Sequence, residues 1–156
     1  MEHLDKLKSK ILRISIGMVY FVFGVLKFFP ALSPAEELAK NTIYTLSLGL
    51  VPSNLGLIVL AFIETGMGLF LLMNWQKNTT INLAIIHIIL TFSPLFMFPE
   101  LIFGNGGFAV TLVAQYIFKN LIILSALVSL KIDILITSNS GLKSKSFSNL
   151  IFLTKK

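Results

Sequence analysis

The chain has 156 residues, of which 55% are hydrophobic and 13% charged, and its mean hydropathy is +0.86. A soluble domain carries about 25% charged residues, so this composition excludes a water-soluble globule, a disordered chain and a nucleic-acid-binding domain, and it indicates a membrane protein. The sequence has no cysteine, which excludes disulfides, thiolate metal sites and thiol catalysis.

Four apolar blocks are long enough to be membrane spans, which need about 20 residues each. They cover about residues 11–29, 55–73, 81–98 and 110–130. No small-residue cleavage site follows the first block, so we expect it to stay in place as a signal anchor. The sequence predicts an all-α fold, a four-helix transmembrane bundle over residues 1–132, followed by a basic cytoplasmic tail over residues 133–156.

The long connection between the first two spans carries a helix-start pattern. Ser33 fits an N-cap, Pro34 fits the first turn and Glu36 fits the third helical position. We therefore expect a short amphipathic helix over about residues 34–48, lying on the outer surface and ended by Gly49.

The remaining connections are shorter. The second outer connection, residues 99–107, contains a turn signal at residues 105–107. The link over residues 75–80 is short, so spans two and three should form a tight antiparallel pair, with Trp75 at the interface. Within span three, Pro94 predicts a kink.

The chain has a net charge of +6, and the distribution of its basic residues among the connections predicts the orientation of the spans. Most of the basic residues lie in the N-terminal leader, the link after span two and the C-terminal segment: Lys6, Lys8, Lys10, Arg13, Lys77, Lys131, Lys143, Lys145, Lys155 and Lys156. The opposite side carries Lys40 and, at its edge, Lys27. Because cytoplasmic loops are enriched in Lys and Arg, we expect a multi-pass protein of the cell (inner) membrane with both termini cytoplasmic.

Two ionisable residues lie in the middle of predicted spans. Glu64 and Lys119 are at matching depth in spans two and four, and an ion pair between them would neutralise both charges. One interpretation is that such a pair locks the bundle, and the other is that it serves a function. For Lys27 there are also two interpretations: it snorkels to the interface, or it faces inward toward Glu64.

Each predicted span has one stripe of polar or small residues at helical spacing. His87 in span three is interpreted as a neutral, hydrogen-bonded histidine, with proton transfer as the alternative. We expect the stripes to converge on an interior, partly polar cavity that opens toward the outer half of the membrane. Their members are Arg13, Gly17, Tyr20, Gly24 and Lys27; Ala61, Glu64 and Gly68; Ala84, His87, Thr91 and Pro94; and Gln115, Lys119, Tyr116 and Asn120.

The stripes occur in segments that resemble the DoxX family of membrane proteins. The segments are RISIGMVYFVFGVLKFFP at 13–30, SPAEELAKNTIYTLSLGLVP at 33–52, AFIETGMGLFLL at 61–72, TFSPLFMFPELIF at 91–103 and QYIFKNLIILSALVSL at 115–130. The first resembles a family span with an Arg and a Gly-x-x-Lys-Phe element, and the third resembles a span with a membrane Glu and a following Gly. Each motif is short, and the likeness rests on their order and spacing.

The resemblance implies a four-helix membrane protein tied to membrane redox chemistry. Some DoxX relatives are small subunits of a thiosulfate:quinone oxidoreductase, and others are accessory proteins of redox complexes or oxidative-stress responses. The residues carried over to this chain are Arg13, Lys27, Glu64, Gln115, Lys119 and Asn120. With no Cys and no second membrane His, the chain has no predicted metal site or intrinsic cofactor, so catalysis would require a bound quinone or a partner subunit.

Three functions remain open at this point. In the first, the chain is a quinone-linked redox subunit, whose candidate catalytic residues are Glu64, Lys119 and His87. Its quinone-binding candidates are Tyr20, Lys27, Glu64, Gln115, Tyr116, Lys119 and Asn120. In the second, it is a non-enzymatic scaffold that stabilises a membrane or periplasmic partner. The third, a small transporter gated by charged residues, is less favoured because four spans without an inverted repeat are few for a transporter. A homo-oligomer is compatible with all three.

Overall fold

A computed structural model describes residues 2–29, 32–33, 36–103 and 111–153, without the side chains of residues 2, 112–113 and 139–153. This part of the chain is helical and contains no strand. The helices in chain order are α1 (Glu2–Leu26), α2 (Glu36–Leu46), α3 (Ser53–Leu72), α4 (Lys77–Leu90), α5 (Pro94–Met97), α6 (Pro99–Phe103) and α7 (Leu112–Leu153). The predicted all-α fold is confirmed.

Four helical segments are long and apolar enough to cross a membrane, namely His3–Leu26, Ser53–Leu72, Lys77–Met97 and Ala114–Ser138. Their outward faces carry large apolar side chains that no protein covers, such as Phe62 and Ile122, which are 65% and 75% exposed. Surfaces of this kind suit a hydrocarbon environment and not water. The chain is an integral, multi-pass membrane protein.

Small residues let α1 and α3 pack closely as an antiparallel pair. A Cβ atom on Gly24 would lie 2.5 Å from the backbone nitrogen of Thr65, and one on Gly68 would lie 2.4 Å from the backbone nitrogen of Phe21. Such distances are too short for any larger residue, so glycine is required at both positions for this approach. Gly24 and Gly68, two small members of the predicted stripes, therefore lie in the α1–α3 contact.

Two apolar clusters fill the interior. The larger one joins the four spanning segments and contains Ile16, Tyr20, Met67, Leu71, Ile81, Ala84, Ile88, Leu127 and Leu130. The smaller one lies at the end of the bundle where α2 is found, and it contains Leu38, Ile102, Ala114 and Ile117. The second cluster fixes α2 and α6 to α7 and so positions the residues around the site described below.

The short helix α2 occupies most of the segment predicted for it, but it ends at Leu46, before the predicted limit at residue 48. Its end is a turn in which Leu48 and Gly49 have positive φ angles of 53° and 78°. Its start at Glu36 follows residues 34–35, so the predicted role of Pro34 lies outside the described residues. The Nζ of Lys40 donates a hydrogen bond to Oε1 of Glu36 at 2.8 Å, and this hydrogen bond raises the pKa of the lysine.

The third span is interrupted directly before Pro94, where the sequence predicted a kink. Helix α4 ends at Leu90, a turn follows over residues 91–93, and Pro94 begins α5. Proline has no backbone N–H, and its ring clashes with the carbonyl of the residue four positions earlier, here Leu90. A proline at the first position of a new helix avoids both penalties.

The last helix continues beyond the predicted fourth span. Helix α7 runs to Leu153 and passes residue 133, where the basic tail was predicted to begin, without a break in helical structure. Its candidate membrane span ends at Ser138. The turn predicted at residues 105–107 lies outside the described residues.

Candidate functional site

A cavity of about 280 Å³ opens between α1, α3, α4 and α7 at the end of the bundle where α2 lies. Helix α2 forms one wall with Leu38, Thr42 and Leu46. Most of the lining is apolar, and the polar side chains of the spans are concentrated in it: Tyr20, Lys27, Glu64, His87, Thr91, Tyr116, Lys119 and Asn120. Most of the predicted polar stripe residues converge on this cavity, but Arg13 and Gln115 do not line it.

The carboxylate of Glu64 forms an ion pair with Lys27. The Lys27 Nζ–Glu64 Oε2 distance is 2.5 Å, and the two side chains are 11% and 9% exposed. The pair exists because Gly24, one turn before Lys27, brings the α1 backbone against the backbone of Glu64 and Thr65. The inward orientation of Lys27 is thus the correct one of the two interpretations.

His87 continues this network on the other side of the carboxylate. Its Nε2 lies 3.2 Å from Glu64 Oε1, and its Nδ1 lies 3.2 Å from the hydroxyl of Tyr20. The Tyr20 hydroxyl also lies 3.0 Å from the backbone carbonyl of Ala84, to which it can donate. Both ring nitrogens of His87 therefore have a polar partner, as expected for the hydrogen-bonded part of the prediction, and Lys27, Glu64, His87 and Tyr20 form a continuous chain of polar contacts across three helices.

Lys119 is not the ion-pair partner of Glu64, contrary to the prediction. Its Nζ lies 4.1 Å from the ring centroid of Phe23 and 4.3 Å from that of Tyr116, which is cation–π geometry. Both charged residues line the cavity. Matching depth along the helices favoured Lys119, because Lys27 lies at the edge of its span, but the close α1–α3 contact brings Lys27 to the carboxylate instead.

The other candidates on α7 divide between cavity and surface. Asn120 lines the cavity and donates a hydrogen bond of 2.9 Å to the hydroxyl of Thr91 on the turn after α4. Gln115 is exposed and does not line the cavity. Helical rotation explains this difference, because residue 115 is turned away from the cavity-facing positions 116, 120 and 123.

Some lining residues were not singled out from the sequence. Phe23 lies on α1 three residues after Tyr20 and four before Lys27, so helical spacing alone could have placed it on the same face. Helical spacing could not predict the wall that Leu38 and Thr42 supply. Its position depends on how the connection folds back over the bundle, which no local pattern encodes.

The arrangement can bind a ligand that is mainly apolar and has a polar head group. Lys119, Tyr116 and Asn120 offer N–H and O–H donors on one wall. The Glu64–His87–Tyr20 contacts on the opposite side connect groups that can each accept or donate a proton. Among the described residues, no group of three or more His, Cys, Asp or Glu side chains is arranged to hold a metal ion.

Comparisons with protein-family models, with curated proteins and with solved structures found no match for this chain.

Proposed function

We propose that this membrane protein binds a quinone in the cavity and acts as an accessory or small subunit of a quinone-linked redox system, as its resemblance to DoxX proteins suggests. The observation that supports this proposal is the combination of mainly apolar walls with the polar chain Lys27–Glu64–His87–Tyr20. An isoprenoid quinone has the matching chemistry, an apolar tail and a head group with two carbonyl oxygens.

The roles of the residues follow from their chemistry. Lys119 and the second N–H of Asn120 would donate hydrogen bonds to a quinone carbonyl, with Tyr116 beside them. Reduction of a quinone to a quinol consumes two electrons, which a redox-active partner subunit would have to supply, and two protons. Glu64 and His87 lie within hydrogen-bond distance of one another at 3.2 Å and would pass protons toward the head group.

The proposed setting is the cell (inner) membrane with both termini cytoplasmic. The supporting observation is that the described basic residues outside the cavity region belong to one end of the bundle, namely those at the start of α1, Lys77 at the start of α4 and Lys131 on α7. The cavity lies at the other end, and in this orientation it faces the outer half of the membrane.

The proposal is tested with protein extracted in its native lipid and analysed by mass spectrometry for bound quinone, followed by titration with added short-chain quinone. Lys119→Met should weaken binding by about 10- to 100-fold, because a hydrogen bond from a charged donor contributes about 1.5–3 kcal/mol. Lys131→Met makes the same chemical change outside the cavity and should bind like the unaltered chain. Protein that carries no quinone and binds none when it is added would contradict the proposal.

A second candidate function is a non-enzymatic scaffold that stabilises a partner membrane or periplasmic protein. It is favoured by an apolar surface at the end of α2, where Tyr44, Leu46, Leu48 and Leu50 are 50%, 49%, 88% and 83% exposed. Pull-down from native membranes compares the unaltered chain with Leu48→Ser/Leu50→Ser. A partner that is recovered reproducibly and lost in this variant would favour the scaffold, while a chain recovered alone would argue against it.

A further inference from the structure

A second concave surface lies at the opposite end of the bundle from the quinone cavity. It is a groove of about 1040 Å³ between α1, α4 and α7, and it shares no lining residue with that cavity. Its walls combine charged side chains from the N-terminal part of α1 and the start of α4 with apolar side chains of the bundle. The proposed function uses none of these residues.

The charged lining of the groove is predominantly basic. Four cationic residues line it, namely Lys6, Lys10, Arg13 and Lys77, against the two carboxylates of Asp5 and Asp133. Asp133 is already engaged on α1, where it accepts a hydrogen bond of 2.5 Å from Ser9 and lies 3.5 Å from Lys8. The groove therefore has an excess of positive charge. Because Asp133 already contacts Ser9 and Lys8, it is less able to neutralise the basic residues of the groove.

Two of these lysines are available to bind a ligand. Lys10 and Lys77 are exposed, and within the described part of the chain neither forms an ion pair or a side-chain hydrogen bond. Arg13 is held in place, because its guanidinium donates to the carbonyls of Leu71 and Leu72 at the end of α3. Its contacts are with neutral carbonyls, so its positive charge is not cancelled by a carboxylate among the described residues.

The groove also has an apolar surface beside its basic residues. Ile134 and Ile136 supply this surface along α7, and Ile81 and Leu130 lie buried at the base of the groove. A soluble anion would use the basic residues alone. A ligand with a phosphate head group and an acyl chain would use both surfaces, since the phosphate would lie among the basic residues and the chain against the apolar side chains of α7.

We propose that this groove binds an anionic phospholipid, with its phosphate between Lys10, Arg13 and Lys77 and one acyl chain against Ile134 and Ile136. Basic pockets between transmembrane helices are suited to anionic lipid head groups. The same lysines also contribute to orientation in the membrane. A role in orientation requires only that positive charge lies at this end of the bundle, whereas the lipid site requires that it lies around the groove. Substituting lysines inside and outside the groove distinguishes these two roles.

The experiment is native mass spectrometry of the full chain in detergent with equal amounts of phosphatidylglycerol and phosphatidylcholine of identical acyl chains. We expect preferential retention of phosphatidylglycerol. Lys10→Gln and Lys77→Gln should each reduce its retention by about fivefold, the effect of one lysine near an anionic head group. The control is Lys131→Gln, which removes the same charge from the same end of the bundle. Lys131 donates a hydrogen bond to Asn78 and does not line the groove, so this change should have little effect.

Each result distinguishes the lipid site from an alternative. Equal retention of the two lipids by the unaltered chain would overturn the proposal, and this measurement does not depend on any variant folding. If Lys131→Gln and Lys10→Gln lose equal amounts of bound phosphatidylglycerol, the preference depends only on the total charge at that end of the bundle. That result would also overturn the proposal. Inorganic phosphate in tenfold excess should leave the lipid bound, and displacement would assign the site to phosphate alone. Quinone binding should be unchanged in all of these variants.

Discussion

At the scale of single residues, the glycines between α1 and α3 control how closely the two helices pack. Gly68 faces the backbone of Phe21, while Gly66 on the same helix has no atom within 4 Å of the position its Cβ would take. The two glycines are two residues apart but lie on different faces of α3. They therefore provide a matched pair for testing the contact.

Gly68→Ala should destabilise the protein by about 1–3 kcal/mol, because the added methyl group forces the helices apart. Gly66→Ala should leave stability unchanged or raise it slightly, because alanine favours a helix by about 1 kcal/mol over glycine. Thermal unfolding of the purified protein in detergent measures both. Similar midpoints for the two variants would show that α1 and α3 do not pack through Gly68.

The ion pair of Lys27 and Glu64 is the second feature at this scale. Removing one member of a buried pair leaves the other without its partner, so Lys27→Met should cost about 3 kcal/mol. The double variant Lys27→Met/Glu64→Gln should be more stable than Lys27→Met, because no carboxylate is then left without its lysine. Lys119→Met serves as the control, since Lys119 contacts aromatic rings and should matter less for stability. Simple additivity of the two single changes would refute the pairing.

At the scale of helices, Arg13 joins α1 to the end of α3. The last carbonyls of a helix have no hydrogen-bond donor within that helix. The Arg13 guanidinium donates hydrogen bonds to two of them, the carbonyl oxygens of Leu71 and Leu72. The arginine thereby connects the N-terminal end of the bundle in the same way that the Lys27–Glu64 pair connects the other end.

Arg13→Leu should lower the free energy of unfolding by about 2 kcal/mol, the typical contribution of hydrogen bonds from a charged donor. Arg13→Lys keeps the charge but lacks the planar, multi-donor head group, so it should recover part of the loss. Thermal midpoints in detergent without anionic lipid separate this effect from lipid binding. Full recovery by lysine would mean that charge alone is required and that the two-carbonyl contact contributes nothing.

At the scale of the whole molecule, four spans place the N terminus and the segment after span four at the same end of the bundle. The chain lacks cysteine, so single-cysteine variants have no background reaction with thiol reagents. His3 and Asn41 are both exposed and belong to opposite ends, on α1 and α2.

In intact cells, a membrane-impermeant thiol reagent should label Asn41→Cys and leave His3→Cys unlabelled, because the positive-inside rule places the basic end in the cytoplasm. After permeabilisation both should react, which controls for accessibility. The reverse pattern would invert the proposed orientation and would place the cavity in the cytoplasmic half of the membrane.

The spans themselves were predictable from the sequence because their signal is local. An uninterrupted apolar run is long enough to cross the membrane, and in lipid its backbone must form its hydrogen bonds within the segment. These two conditions locate each helix without reference to its neighbours. The same holds for the polar stripes, since helical spacing alone places Tyr20, Gly24 and Lys27 on one face. The presence of a cavity followed from these stripes, and most of its predicted polar residues do line it.

The partners of the charged residues were decided by tertiary structure. Depth along each helix is encoded locally and favoured Lys119 as the partner of Glu64, but a long lysine side chain at the edge of a span, such as that of Lys27, also reaches it. The outcome depends on which helix approaches α3 most closely on that face, and Gly24 settles this in favour of α1. The rotation of α7 that leaves Gln115 exposed and the folding of α2 over the cavity have the same origin, since each is a relation between helices that no single segment contains.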